Sequence, residues 1–284
     1  MRALGIDVGV GKGLDLVLMD DRRDPLHVEA RVEVADVSGL ISELEPNVVA
    51  IDSPPSWAKA GRSRLTERTL AEFNIRTFAT PSRARGKGTP FYDWMEVGFR
   101  VFRAAARAGF ARYAAGDPRG TAMEVFPHAT ATVLRGFLRP KNIAKRAWRE
   151  GILEVQGVQT ARLTSPDLVD AGLCALTGLL ALQGKHFSPG DPKEGVIVLP
   201  LVTLPVRPFV SFRQDTSSSA RSDASPLFRF CGCGGPGCQE LTRAEFAPGH
   251  DAKRKSMLWR LARGGRDATD ELRRRGWELP PEVR

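Results

Sequence analysis

The fold is decided by the stretch ALGIDVGVGKG at residues 3–13, which is followed at once by the mostly apolar run LDLVLM at residues 14–19. An apolar run that ends in one aspartate, then a glycine-rich turn, then a second apolar run is typical of a β-hairpin. We therefore expect Asp7 to face outward near the end of the first strand. Its carboxylate is the first candidate for chemistry, and the alternative is that Asp7 only begins the turn.

Composition limits the class of protein. The chain has 284 residues, of which 42% are hydrophobic and 26% charged, which is enough for one large domain with a sizeable core plus an appendage. The net charge of +9 favours polyanionic partners. No basic-then-apolar leader opens the chain, and the longest apolar helical stretch, residues 171–182, is shorter than the roughly 20 residues that span a bilayer. We expect a cytoplasmic protein without a membrane segment.

Further elements follow the hairpin in order. Alternating residues over 27–34 predict a third strand, and Asp36 can cap a short helix that ends at Leu44. The β-branched run at 47–52 predicts a buried strand that again ends in an aspartate, Asp52. If this strand lies beside the first one, Asp52 lies beside Asp7.

Residues 57–94 are irregular and basic. This segment either covers the site and contacts a phosphate backbone or is a solvated loop. A long helix is expected over residues 91–115, and the basic segment 135–149 is expected to be mainly a solvated helix face.

Acidic residues recur later in the chain. Glu124 lies in an apolar strand, where a carboxylate is costly to bury unless it has a charged partner or a metal. Asp167 and Asp170 are three residues apart at the start of an apolar helix, and therefore on one face, although acids also favour helix N-termini for electrostatic reasons alone. His128 either assists catalysis or has a structural role, and the structural role is favoured.

These elements carry a resemblance to a known family. The motifs are Gly5-Ile6-Asp7, Ile51-Asp52-Ser53-Pro54, Arg62 with Arg68, Glu124-Val125-Phe126-Pro127 and Asp167-Leu168-Val169-Asp170-Ala171. Over about residues 1–200 they resemble the domain of unknown function 429 family, described as predicted nucleases. The resemblance implies an α/β, ribonuclease H-like fold with a mixed sheet flanked by helices. It also makes Arg62 and Arg68 candidates for binding the substrate.

The chemistry of such a site follows from charge. Converging carboxylates repel one another by about 4 kcal/mol per close pair at an effective dielectric constant near 20, so the cluster needs cations. Oxygen ligands favour Mg²⁺ or Mn²⁺, and two such ions support phosphodiester hydrolysis. We expect Asp7 to bridge the ions, Asp52 and Glu124 to bind one, and Asp170 to bind the other. Asp167 is a reserve ligand or general base.

The predicted function is therefore that of a metal-dependent nuclease acting on DNA or RNA. One alternative is an actin-like or sugar-kinase-like phosphotransferase, because residues 7–12 also resemble the first phosphate loop of those enzymes. The other is a catalytically silent nucleic-acid-binding protein. The sequence predicts neither the polymer nor the oligomeric state.

The composition changes after Pro205. We expect the nuclease domain at 1–205, a flexible linker at 206–227 and a small module at 228–284. The module has the spacing of a tetrahedral, structural Zn²⁺ site. Its expected ligands are Cys231, Cys233, Cys238 and His250. The basic helix that follows, with Lys253 and Arg254, is either a nucleic-acid anchor or a solvated face.

Overall fold

The structure is a computed structural model that describes residues 1–9, 11–201, 205 and 207–210, together with the backbone of residues 229–230 and 241–242. The fold below belongs to one compact unit formed by Met1–Leu134 and Leu138–Phe212. The proposed zinc ligands and the basic helix that follows them lie outside the described residues. The predicted domain boundaries stay a prediction.

A mixed β-sheet forms the centre of this unit. Its strands are β1 (Arg2–Val8), β2 (Leu14–Asp20), β3 (Pro25–Val32), β4 (Val48–Asp52), β5 (Ala111–Arg112), β6 (Thr121–Val125), β7 (Gly190–Asp191) and β8 (Gly195–Val198). The order across the sheet is β3-β2-β1-β4-β6-β8-β7, and β5 pairs with β6. β1, β2 and β3 are antiparallel neighbours, whereas β4, β6 and β8 run parallel to β1. An antiparallel three-stranded edge followed by parallel strands is the ribonuclease H-like arrangement, as predicted.

Helices cover both faces of the sheet. They are α1 (Val37–Leu44), α2 (Leu65–Glu72), α3 (Arg83–Gly86), α4 (Asp93–Arg107), α5 (Pro127–Arg135), α6 (Lys145–Val155) and α7 (Pro166–Leu182). Alternation along β1 sends Ala3 into the core beneath α6 and α7, while Leu4 and Ile6 enter the core beneath α1 and α4. No helix among the described residues is both long and apolar enough to cross a bilayer.

Helix α7 lies unusually close to the sheet. Ser165 caps its N-terminus by accepting a hydrogen bond from the Leu168 amide at 3.0 Å, and proline at the first turn suits the helix start. A Cβ atom on Gly5 of β1 would lie 2.0 Å from the carbonyl oxygen of Ala171. Only glycine permits this contact, which brings the start of α7 down onto β1.

Two predicted segments differ from the structure. The helix expected over 91–115 ends at Arg107, because Gly109 adopts a φ of +91° and the chain then forms β5 beside β6. The segment 135–149 is not one solvated helix face: α6 begins only at Lys145, and its Arg149 is buried. The reason is a carboxylate partner distant in sequence, described below.

Outside this unit, β9 (Arg229–Phe230) and β10 (Leu241–Thr242) pair in antiparallel fashion, with Leu241 opposite Phe230.

Candidate carboxylate site

The first two acids meet at one end of the sheet. β1 and β4 are parallel and in register, so that Asp7 pairs directly with Asp52. Both carboxylates therefore leave the sheet at the carboxyl ends of adjacent parallel strands, where ligands bind in open α/β sheets. The predicted proximity of Asp7 and Asp52 is confirmed.

Sequence reasoning missed a third acid, Asp15. It lies on β2 directly opposite Asp7, and it is largely buried. Residues 14–19 are mostly apolar in sequence, but period-two alternation places Asp15 on the same face of the hairpin as Asp7. That alternation was the signal that could have identified it.

The N-terminus of α7 completes the group. Oxygen atoms of Asp7, Asp15 and Asp167 all lie within 4.8 Å of one another. Lys12, in the turn between β1 and β2, places its Nζ atom 4.0 Å from a carboxylate oxygen of Asp167. One helical turn on, Asp170 is buried and near enough to Asp7 and Asp52 to raise the pKa values of both.

The acids shift one another's titration. Burial, followed by the charges of Asp52 and Asp170, raises the pKa of Asp7 well above its ordinary value. Burial and Asp170 raise the pKa of Asp52 from 3.8 to about 7. Burial and Asp167 also raise the pKa of Asp15. Without a counter-charge, the cluster therefore holds protons that isolated aspartates would have released.

Two cations of α6 flank Asp170. Arg149 donates a hydrogen bond to one of its carboxylate oxygens, and the Nζ atom of Lys145 lies 3.2 Å from the other. Arg149 is buried, whereas the Lys145 side chain is 56% exposed. Both charges act to lower the pKa of Asp52, against the effect of burial. Lys145 is thus the cation of this pair that solvent reaches.

Glu124 has a different partner from the one we expected. Its two carboxylate oxygens each accept a hydrogen bond of 2.6 Å from Arg64, whose side chain is only 1% exposed. Arg64 also donates from Nε to Glu67 at 2.9 Å, and Glu67 accepts from the Thr80 amide at 2.9 Å. The structure does not bring Glu124 into the aspartate group. In this arrangement Glu124 is bound by an arginine, and the ion pair offsets the free-energy cost of burying the Glu124 carboxylate.

This buried network attaches the basic segment 57–94 to the sheet. Burial raises the pKa of Glu124, while the charge of Arg64 opposes that rise. Burial alone would lower the pKa of Arg64, but its two glutamate partners raise it. A charged arginine between two carboxylates therefore fixes residues 64–80 over the end of β6.

A cavity of about 550 Å³ opens beside the acids. Its lining includes Asp52 and Asp170, the Arg64–Glu124 pair, the cations Arg76, Lys145 and Arg149, His128, and the aromatic residues Phe78, Phe91, Trp94 and Phe126. Burial, then the charge of Arg149, lowers the pKa of His128 to about 4, so its ring is neutral at pH 7. The site thus combines acids, cations and aromatic rings around one concave surface.

The other predicted binding residues have separate places. Arg62 and Arg68 are exposed and do not line this cavity, and Arg68 donates from Nη1 to the Ser63 carbonyl at 2.7 Å. Lys253 and Arg254 lie outside the described residues, as do Cys231, Cys233, Cys238 and His250.

Comparison with known proteins adds a family and two similar folds. A family model described as "Protein of unknown function (DUF429)" matches residues 5–194. Thermus thermophilus RuvC is similar at 20% identity and a TM-score of 0.37, covering 65% of this chain and 97% of that one. T. thermophilus RuvC in complex with a Holliday junction substrate is similar at 20% identity and a TM-score of 0.36, covering 65% and 96%. No curated protein matches the chain. The strand order and registers, rather than these superpositions, define the fold.

Proposed function

Because the chain belongs to the DUF429 family, whose description names no function, we propose its activity from the carboxylate site itself: a divalent-metal-dependent nuclease that hydrolyses phosphodiester bonds of nucleic acid. One observation carries the proposal. Asp7, Asp52 and Asp170 converge at the carboxyl ends of parallel strands, with Asp15 and Asp167 beside them. Buried carboxylates that raise one another's pKa values are the arrangement that a hard cation stabilises.

The donor set fits Mg²⁺ or Mn²⁺. All the nearby ligand atoms are carboxylate oxygens, the class that these ions prefer. We assign Asp7, Asp52 and Asp170 to one ion, and Asp7, Asp15 and Asp167 to a second. When bound, such ions activate the attacking water and neutralise charge on the phosphate and the leaving oxygen. Compared with our expectation from sequence, Asp15 enters the ligand set and Glu124 leaves it, because Asp170 is among the charges that raise the pKa values of Asp7 and Asp52, whereas Glu124 is not.

The chain's own residues then have distinct parts. Arg149 and Lys145 hold Asp170 in place, so that its carboxylate keeps one orientation beside Asp52. Lys145, which solvent reaches, is positioned to contact a phosphate oxygen of the substrate. His128 lines the same cavity, and because its pKa is lowered to about 4 its ring is neutral at pH 7 and can form hydrogen bonds there without adding charge.

A separate basic groove supports a polyanionic substrate. A cavity of about 980 Å³ extends from Gly11, at the hairpin turn, along α4. Its lining includes two acids, Asp93 and Glu96, and five cations, Arg83, Lys87, Arg100, Arg103 and Arg112. Among the described residues, no carboxylate forms an ion pair with any of the five. Unpaired cations along a groove attract phosphates by releasing their counterions.

The C-terminal module stays part of the proposal on sequence grounds alone. We infer that Cys231, Cys233, Cys238 and His250 hold a structural Zn²⁺ ion, and that Lys253 and Arg254 of the following segment contact nucleic acid.

The test is a cleavage panel on purified protein. Single-stranded and duplex DNA and RNA are incubated with Mg²⁺, with Mn²⁺ or with EDTA, using wild type and the Asp7→Asn variant. The proposal expects cleavage that requires the metal and is lost by several orders of magnitude in Asp7→Asn. Phosphate release from a nucleoside triphosphate without any cleavage would instead indicate the phosphotransferase alternative. Binding without either reaction would indicate a silent nucleic-acid-binding protein.

A further inference from the structure

Two large aromatic side chains that line the cavity of about 550 Å³ are exposed to solvent. Phe78 is 61% exposed and Phe91 is 57% exposed. Their ring centroids lie 5.9 Å apart, and the ring centroid of Trp94 lies 5.9 Å from that of Phe78. We call these three residues the aromatic wall. All three line the cavity that contains Asp52 and Asp170.

We propose that the aromatic wall stacks on one unpaired base of a single-stranded stretch, while the adjacent phosphate lies at Arg76 and Lys145, beside Asp52 and Asp170. The inference rests on the proposed function, because it specifies the form of nucleic acid that the same site accepts. Aromatic side chains stack on bases of any sequence, because every base has a π-face.

Geometry favours an unstacked base over an intact duplex. In a duplex the faces of each base are covered by its neighbours, so an aromatic ring can stack on a base only after the base has left the stack. The cavity of about 550 Å³ has the size of sites for single small ligands. It can therefore take one nucleotide at a time, which is what a single-stranded end, loop or flipped position supplies.

Charge identifies the occupant as a nucleotide rather than an apolar group. Arg76 lines the same cavity, is exposed, and forms no ion pair within the described part of the chain. Lys145 lines it on the side of Asp170. Cations beside exposed aromatic rings are the combination by which proteins hold single strands, with phosphates on the cations and bases on the rings.

The aromatic wall is also held in place. The Thr80 amide, two residues after Phe78, donates to Glu67, and Glu67 is bound to Arg64, which in turn binds Glu124 of β6. This chain of buried bonds connects the loop that carries Phe78 to the sheet that carries Asp52. The loop that carries Phe78 is therefore tethered near the acids, as a base and its adjacent phosphate require.

The experiment measures binding of a fluorescent oligonucleotide of about twelve nucleotides, within the range of single-strand site sizes, and of its duplex form. EDTA is present so that nothing is cut. Wild type should bind the single strand more tightly than the duplex. The double variant Phe78→Ala/Phe91→Ala should lose about tenfold or more in affinity for the single strand and little for the duplex. The matched control is Leu65→Ala, which removes another exposed apolar side chain from the basic segment 57–94. Leu65 lies outside the cavity, so this variant should change neither affinity.

A second readout separates stacking from general damage. The fluorescent base 2-aminopurine is quenched when it stacks, so wild type should quench it and the double variant should not. If the alanine variant folds poorly in a thermal melt, Phe78→Leu/Phe91→Leu keeps the apolar volume and removes only the flat rings. It should likewise lose the quenching.

The outcomes distinguish this inference from the proposed function. Metal-dependent cleavage together with unchanged single-strand affinity in the ring variants would overturn the inference and leave the nuclease intact. Equal losses on single strand and duplex would also overturn it. Selective loss of single-strand binding, in a protein that cleaves nothing, would support the inference and reject the nuclease.

Discussion

Replacing Asp7 by asparagine tests the carboxylate cluster before any substrate is known. Asparagine keeps the shape of the side chain and can still donate a hydrogen bond to Asp52, as a protonated Asp7 would, but it carries no charge. Oxygens of Asp7, Asp15 and Asp167 lie within 4.8 Å of one another. Two unit charges at that separation repel by about 3.5 kcal/mol at an effective dielectric constant near 20, and by about 0.9 kcal/mol in bulk water.

The pKa of Asp52 shows that a buried charge is also costly in itself at this site, because burial is the largest cause of its rise and Asp170 the next. The pKa of Asp52 rises from 3.8 to about 7, and at about 1.4 kcal/mol per pH unit the difference corresponds to about 4 kcal/mol. A raised pKa for an acid means that its cost to stability is absent below the unfolded value and grows as the pH rises toward the folded value. The pKa of Asp7 is raised in the same direction. Without metal, we therefore expect Asp7→Asn to be more stable than wild type by about 1 to 4 kcal/mol at pH 8, and equal to it near pH 4.

Divalent metal should act in the opposite direction, by stabilising wild type more than the variant. A ligand that binds only the folded state at 100 times its Kd stabilises by about 2.7 kcal/mol. Urea melts with EDTA and with Mn²⁺ should show such a gain in wild type, and less than a third of it in Asp7→Asn. Asp36→Asn is the matched control, because Asp36 is exposed and makes no side-chain cap on α1, so its melts should follow those of wild type. Equal Mn²⁺ gains in wild type and Asp7→Asn would refute the reasoning, as would an Asp7→Asn variant that is less stable than wild type at pH 8 without metal.

Three further predictions address other parts of the chain. Arg103→Glu, in the basic groove, should weaken nucleic-acid binding in EDTA and reduce the slope of log affinity against log salt by about one. Arg107→Glu, on the same helix but outside the groove, should do neither. Equal effects of the two variants would remove the groove from the interface. Glu124→Gln leaves Arg64 with one buried carboxylate fewer, so urea melts should show a free energy of unfolding lower by about 3 kcal/mol, while the stabilisation by Mn²⁺ persists. Loss of the stabilisation by Mn²⁺ in a stable variant would return Glu124 to the ligand set. Elemental analysis should find close to one Zn²⁺ ion per full chain, and less in Cys233→Ser; full-length protein prepared without chelator and free of zinc would contradict the site.

The predictions that succeeded were those in which a local pattern decides the structure. Apolar runs ending in Asp7 and Asp52 predicted two strands, and their register follows from parallel pairing. The acids Asp167 and Asp170 ahead of an apolar run predicted the start of α7.

Two differences in the basic segments share a physical cause, which is pairing between residues far apart in the sequence. Arg64 and Arg149 look like solvated basic residues, yet each is buried against a carboxylate 60 and 21 positions away, respectively. A single sequence carries no local sign of such a pair, because burial of a guanidinium depends on a partner that only the fold supplies. The sequence likewise carries no local sign that Arg64 is the partner of Glu124.

The two glycines at the contact between α7 and the sheet have a consequence for how the acids are spaced. Gly5 faces Ala171 and Ala175 of α7, and Gly178, farther along the helix, would place a Cβ atom 3.0 Å from Ala3 and from Val48. Helix α7 therefore contacts the strands closely at two positions, and two such contacts restrict its rotation relative to the sheet. At Gly5, near Asp7 and Asp170, the backbone of β1 faces the backbone of α7 directly, whereas at Gly178 the helix faces the side chains of Ala3 and Val48. Substitutions among the apolar residues around the acids can change packing volume without changing the distance between Asp7 and Asp170. Gly5→Ala, by contrast, adds one methyl group where α7 contacts β1 and would increase that distance.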